Sequence, residues 1–221
     1  AAPRRLVTGQ PEAKAVPVLS VDFYMEAMCP GCMHFTTAVL APVLSSMEDY
    51  VQLRAIPFGN AAIVNGSVAC QHGPDECTGN RIELCMMRDY PGWQTWFPAF
   101  KCIEEARDVP LVAARACLAQ HGMDADSVID CALGPAGEEL QLRAGNETVR
   151  LSPPHQFTPW VVVNGEPVGE EVMDLQAWLC KRLPEEHRAA VPACTPPKYR
   201  DVRRAQQLRA SRGVSFCYPS L

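Results

Sequence analysis

A four-residue segment, Cys29-Pro30-Gly31-Cys32, limits most strongly what this chain can fold into. Ahead of it, Val21, Phe23 and Met25 alternate with Ser20, Asp22 and Tyr24, and that period of two predicts a strand. Behind it, Phe35, Val39, Val43 and Met47 recur every four residues, with Leu40 and Leu44 beside them. That pattern predicts a helix over about 30–48. The two cysteines therefore fall at a strand-to-helix turn, with Cys29 at or just before the first helical residue. Unpaired backbone N–H groups and the positive end of the helix dipole favour an anion there, in this case a thiolate. Pro30 suits the first helical turn, because the N–H it lacks would have no intrahelical partner. Pro42 lies further inside the same helix and should kink it.

A C-x-x-C segment has three readings: a redox pair, half of a zinc site, or a structural disulfide. Zinc needs a second ligand pair. Cys70, Cys77 and Cys85, with His72 nearby, are seven and eight residues apart and match no standard spacing. A structural bridge across two residues would close almost no chain. The strand, C-x-x-C, helix order favours the redox pair.

Eleven cysteines in 221 residues point to an oxidising compartment. Two sequons in polar, turn-like contexts agree: Asn65-Gly66-Ser67 and Asn146-Glu147-Thr148. The start lacks an apolar signal region, so the expectation is a secretory chain whose signal has been removed. The net charge of −5 argues against a nucleic-acid partner. No stretch approaches the roughly 20 apolar residues of a membrane span.

Residues 1–17 read as a flexible leader. Residues 18–58 read as β-α-β, with a second strand from Tyr50 to Phe58 parallel to the first. From 59 to about 156 the strand pattern disappears, and helices are expected at 76–89, 95–107, 110–121 and 124–133. Trp160–Val163 reads as a strand, Asn164-Gly165 as a hairpin turn, Glu166-Pro167-Val168 as an edge strand and 172–183 as a closing helix. The order β-α-β, helical insertion, β-β-α is that of an α/β, thioredoxin-like domain over 18–183. Its disulfide-stapled insertion lies between the second and third core strands. Residues 184–221 carry seven Lys/Arg against three acids, a charge of +4 where the rest is −9. They read as a basic, loosely attached tail and propeptide, with a thin-striped helix possible at 199–211.

Two further motifs bear on chemistry. Thr158-Pro159 precedes the Val-rich strand: it reads either as an ordinary trans bond that opens a strand or, by its resemblance to thioredoxin-like proteins, as a cis-proline that faces the C-x-x-C and leaves the Thr158 backbone free to pair with a substrate strand. Its position favours the second. Cys70-Gln71-His72-Gly73-x-x-Glu76-Cys77-x-x-Asn80-x-x-x-x-Cys85 closely resembles the signature of the gamma-interferon-inducible lysosomal thiol reductases (GILT). With the motifs on either side, the resemblance covers about residues 18–183. The physical reading of this stretch is structural, with Gln71, His72 and Asn80 hydrogen-bonding a loop near the site. A sharper alternative has His72 or Glu76 assisting proton transfer. His34 reads as an exposed helix residue, and His121, His155 and His187 carry no signal. Trp93, Trp96, Phe97 and Phe100 read as core.

The resemblance implies a thiol reductase that opens disulfides of unfolding proteins in endosomes and lysosomes, in support of antigen processing. It needs a small thiol as reductant and no cofactor or metal. Cys29, at the helix start, is expected to be the exposed nucleophile that attacks the substrate disulfide, and Cys32 the buried partner that resolves the mixed disulfide. A secretory oxidase or isomerase, or a non-enzymatic disulfide-stapled glycoprotein, are the alternative readings. Of the other nine cysteines, eight are expected to pair and one to be left over. Cys180 could pair with Cys194 and Cys117 could meet Cys131, while Cys77 and Cys85 are too far apart on one helix to pair. Cys217 is the expected odd thiol, able to link two chains into a homodimer.

Overall fold

Strand β1 (Leu19–Met25) is the spine of the sheet. Its Val21, Phe23 and Met25 are fully sealed from solvent, as the alternation requires. β1 pairs in parallel with β2 (Val51–Pro57) and antiparallel with β5 (Trp160–Val163). The short β6 (Glu166–Pro167) completes the order β2-β1-β5-β6. Asn164 and Gly165 turn between β5 and β6 with φ of 50° and 82°, the left-handed pair that a two-residue hairpin demands. The computed structural model describes residues 18–106, 108–195 and 215–219. The leader and the possible helix at 199–211 lie outside the described residues.

The helix after the C-x-x-C runs as α1 (Pro30–Phe35), a π-turn (Thr36–Leu40) and α2 (Ala41–Ser46). Ala41 N–H donates to Thr36 O, one residue wider than α spacing, just ahead of Pro42, which has no N–H to give. The expected kink is thus a π-bulge. Phe35 packs on Phe23, with ring centroids 4.9 Å apart, and Phe100 closes on Phe23 at 6.5 Å. All three are fully buried, each contributing roughly 1.5–3 kcal/mol of transfer free energy.

The insertion holds α3 (Pro74–Asp89), α4 (Trp93–Ala106), α5 (Pro110–Gln120), α6 (Ala125–Leu133) and α7 (Pro135–Thr148). Trp93, Trp96, Phe97 and Phe100 of α4 are buried core. Three expectations fail here. A hairpin, β3 (Ala62–Val64) with β4 (Ser67–Ala69), precedes the helices. Its strands are too short to show a pattern, but Asn65-Gly66, with φ of 51° and 80°, carries the same turn signal as Asn164-Gly165. Helix α7 was hidden by its glycines, which lower helix propensity. Gly145 is needed because a Cβ there would lie 2.5 Å from the Phe58 ring. In consequence Asn146 is exposed in the last turn of a helix, not a polar turn, and buried Thr148 donates to Ala144 O at 2.8 Å.

Cys117 and Cys131 do not pair. Cys102 joins Cys117, and Cys85 joins Cys131, because α5 packs on α4 while α6 packs on α3. Cys70 pairs with Cys77, so Cys77 and Cys85 stay apart as expected. The tail is not loosely attached at its start. Helix α8 (Leu175–Arg182) is tied through Cys180–Cys194 to the segment after α9 (Glu185–Ala190), and Val191 is buried.

Candidate active site

Cys29 occupies the position before α1, in extended conformation, with Pro30 at the first helical position. Its carbonyl accepts the Met33 N–H at 3.0 Å. Cys32, one turn inside, is a free and fully buried thiol. Burial holds that thiol well above the usual range, and the charges of Glu104 and Glu26 push the same way. The bond between Thr158 and Pro159 is cis. The ring lies against the C-x-x-C, so close that a Cβ built on Gly31 would sit 3.3 Å from Pro159 Cδ. Thr158 Oγ1 stands 3.7 Å from Cys29 Sγ and 3.3 Å from Glu26 Oε1.

Cys29 is not exposed, and it is not paired with Cys32. Its sulfur is bonded to Cys217, 188 residues later, so Cys217 is not the odd thiol; among the described residues that is Cys32. Residues 215–219 lie over the site. Thr158 N–H donates to Cys217 O at 2.8 Å, and Cys217 N–H donates back to Thr158 O at 3.0 Å. The Cys29–Cys217 bond and this antiparallel bridge bury Cys29 completely. In this state the Cys217 sulfur is used within the chain and does not link two chains.

The second motif sits beside the turn. Asn80 Oδ1 accepts the Ala27 N–H at 2.8 Å. Gly73, with φ 89°, turns the chain into α3, and Pro74 follows at its first helical position. The Cys70–Cys77 bond clamps that entry, and Cys85 anchors the far end of α3 to α6. Gln71 Oε1 accepts from Asn60 Nδ2 at 2.9 Å, and its Nε2 donates to Tyr218 O at 2.6 Å. His72 N–H and Nδ1 both reach Glu76 Oε2, at 2.6 and 2.7 Å. The contacts of Asn80 and Gln71 are those of the structural reading, while His72, bonded to Glu76, lies with Nδ1 4.0 Å from Glu26 Oε1. Asn65 and Asn146 are exposed on the insertion.

Four site residues escaped the sequence reading. Glu26 directly follows β1 with its side chain fully buried, and burial pushes its carboxyl up to about 7, against the Asn60 N–H bond that lowers it. An acid directly after a run of strand residues was the available signal. Asn60 donates to Glu26 Oε2 at 2.7 Å and to Cys217 O at 3.1 Å, and its Oδ1 lies 3.2 Å from His155 Nε2. Burial pushes that His155 imidazole down. Glu83 and Glu104 meet in the core; burial and their mutual charge raise Glu83 well above its ordinary value, and burial pushes Glu104 to about 8. Both Glu83 oxygens lack a donor, so the pair is stable only when at least one carboxyl is protonated. Glu26, His72 and Glu76 bring ligand-type atoms within 4.8 Å of one another, but hydrogen bonds within the protein account for that arrangement.

Among solved structures, the chain resembles DsbA from Chlamydia trachomatis, with a TM-score of 0.56 and 12% identity over 82% of this chain and 98% of that one. It resembles the oxidoreductase DsbA from Xylella fastidiosa with a TM-score of 0.50 and 20% identity over 79% and 90%. These likenesses establish the thioredoxin-like, DsbA-like fold. The family model described as gamma interferon inducible lysosomal thiol reductase matches residues 20–121. A gamma-interferon-inducible lysosomal thiol reductase from Carassius auratus is 37% identical over 67% of this chain and 60% of its own length. One from Mus musculus is 30% identical over 75% and 68%, and a gamma-interferon-responsive lysosomal thiol protein from Arabidopsis thaliana is 31% identical over 73% and 70%. The match thus spans about 60–70% of the length of these relatives. On motif, fold and relatives together, this chain belongs to the gamma-interferon-inducible lysosomal thiol reductase family of thiol–disulfide oxidoreductases.

Proposed function

We propose that this chain reduces disulfides of unfolding proteins in the acidic endosomal and lysosomal compartments. The observation that carries the reading is the placement of Cys29 at the start of α1, with the Cys32 thiol one turn behind it and the Thr158 carbonyl alongside, 4.0 Å from the Cys29 sulfur. Freed from Cys217, Cys29 as thiolate attacks one sulfur of a substrate disulfide. A mixed disulfide forms and the other substrate sulfur leaves as thiolate. Cys32 then attacks Cys29 Sγ, the mixed disulfide breaks, and the proton of Cys32 ends on the departing substrate thiol. Two small thiols restore the Cys29–Cys32 dithiol and leave as their own disulfide. Cys29 and Cys32 are the catalytic pair, and Thr158 and Pro159 form the substrate wall.

An ordinary thiol with a pKa near 8.5 is about one part in 3,000 ionised at pH 5. The helix start lowers that pKa. The buried carboxyls help in the same direction: Glu26, Glu76, Glu83 and Glu104 are all raised by burial. In acid Glu26 and Glu104 are neutral, so the negative field that opposes a thiolate at either cysteine is switched off. The relatives named as lysosomal, five disulfides and the exposed sequon residues Asn65 and Asn146 support a glycosylated protein that travels the secretory route and is also secreted. Opening disulfides in such a compartment lets proteases reach compact antigens, which gives the enzyme its place in antigen processing. The C-terminal segment must leave Cys29 before turnover, either by exchange or by removal as a propeptide. The test is reduction of a denatured disulfide protein at pH 5 with a small thiol. Turnover that disappears in Cys29→Ser supports the reading, and no turnover by the wild-type chain refutes it.

A further inference from the structure

The geometry points to residues 215–219 being a tethered substrate: the site receives an extended segment whose cysteine is flanked by aromatic residues, and the chain's own Phe216-Cys217-Tyr218 occupies it as a mixed disulfide with Cys29. This inference rests on the thiol-exchange reading above and specifies its substrate class.

Three kinds of contact hold the segment. The first is covalent, between Cys29 and Cys217. The second is sequence-blind: two backbone hydrogen bonds join Thr158 and Cys217, Asn60 donates to Cys217 O, and Gln71 donates to Tyr218 O. Only an extended segment, with its backbone N–H and C=O groups unpaired, can present its main chain in this way. The third kind reads side chains. In an extended strand the residues on either side of a cysteine point to the face opposite it. Here Phe216 and Tyr218 both turn to Phe157, with ring centroids 4.7 and 6.1 Å away, and lie 6.5 Å from each other. Phe157 is itself buried and backed by Trp160, 5.3 Å away. It is a fixed platform beneath the two flanking positions. The main chain is accepted tightly as well: a Cβ on Gly31 would collide with the Ser215 carbonyl.

The occupied state holds one disulfide and the free Cys32 thiol. Attack by Cys32 thiolate on Cys29 Sγ forms Cys29–Cys32, breaks Cys29–Cys217 and releases Cys217 as a thiolate, which takes up the proton lost by Cys32. Thiol and disulfide numbers are unchanged, so no oxidant is needed. A pair of small thiols then reduces Cys29–Cys32 and opens the site. Buried Cys32 is largely protonated, so the tethered state persists until a competing thiol or substrate drives exchange.

The test has two parts. Full-length protein isolated without reductant is alkylated and peptide-mapped; a Cys29–Cys217 crosslink with Cys32 as the alkylated thiol is expected. A Cys29–Cys32 bond with Cys217 alkylated overturns the proposal. Cys217→Ser protein is then given two pentapeptides, Ser-Phe-Cys-Tyr-Pro and Ser-Ala-Cys-Ala-Pro, each joined by a disulfide to a small thiol. The aromatic peptide should be reduced with a kcat/KM roughly fivefold higher, the scale of one or two aromatic contacts. Phe157→Ala in the same background should erase that difference while still reducing the alanine peptide, which shows that the variant folds. Equal turnover of both peptides before that change overturns the aromatic reading. Failure of the Cys217→Ser protein on both peptides and on a denatured disulfide protein would instead refute the thiol-exchange function itself.

Discussion

The side-chain oxygen of Asn80 accepts the backbone N–H of Ala27 at 2.8 Å, and through this bond α3 holds the turn that carries Cys29. Both groups are buried. The neighbouring Gly79 brings the helix so close that a Cβ there would lie 2.6 Å from Ala27 Cβ. Through Gly79 and Asn80 the second motif shapes the active-site loop from behind.

Asn80→Ala leaves the Ala27 N–H buried without a partner. It should lower stability by about 1–3 kcal/mol, measured by denaturant unfolding of the disulfide-intact protein. A loss under about 0.5 kcal/mol, the level of an ordinary surface change, contradicts this role.

Stability should be greater at pH 5 than at pH 8. Glu26 and Glu104 are held in the folded protein at about 7 and about 8, against 4.5 for an ordinary glutamate. Between the unfolded and folded values the native state binds more protons than the unfolded one, so stability falls as pH rises through that window. Glu26 alone accounts for roughly 2–3 kcal/mol across it. A Tm series from pH 5 to 8 should decline, and Glu104→Gln should flatten the decline. A Tm that rises over this range sinks the argument.

Cys32→Ser should accumulate mixed disulfides between Cys29 and protein substrates, once the Cys217 segment has been displaced by a small thiol. Cys29→Ser should accumulate none, because Cys32 is fully buried. Non-reducing gels after acid quenching read the outcome, and equal trapping by both variants reverses the assignment of roles.

Glu26→Gln fixes a neutral side chain within 4.8 Å of the Cys29 sulfur. In a Cys32→Ser, Cys217→Ser background, alkylation of Cys29 should follow a thiol titrating roughly one to two units lower than with Glu26 present, since a like charge opposes thiolate formation. The difference should vanish below about pH 6, where Glu26 is itself protonated. A constant difference at all pH values would mean that the carboxyl acts through structure and not through charge.

Local signals were enough for much of this protein. The alternation in β1, the four-residue spacing after Cys32 and the Asn164-Gly165 turn each depend on neighbours a few residues apart, and each appears where expected. The C-x-x-C, Thr158-Pro159 and the Cys70–Cys85 motif were legible because they are contiguous. What escaped the reading is set by distant partners. Helix α7, absent from the sequence reading, has a reason for its glycine only once the Phe58 ring is placed against Gly145. Glu26 looks like any acid after a strand until Asn60 and Thr158 enclose it.

Pairing of the cysteines shows the division most plainly. The sequence by itself determined that Cys29 opens a helix, and that Cys180 and Cys194 flank one helix end closely enough to join. It could not say which helix faces meet, so Cys117 was matched with the wrong neighbour. Nor could it say that Cys217 pairs with the Thr158 backbone and takes the Cys29 sulfur. Helices and turns follow from spacing along the chain, whereas a contact across 188 residues exists only once the intervening core has packed and brought the two ends together.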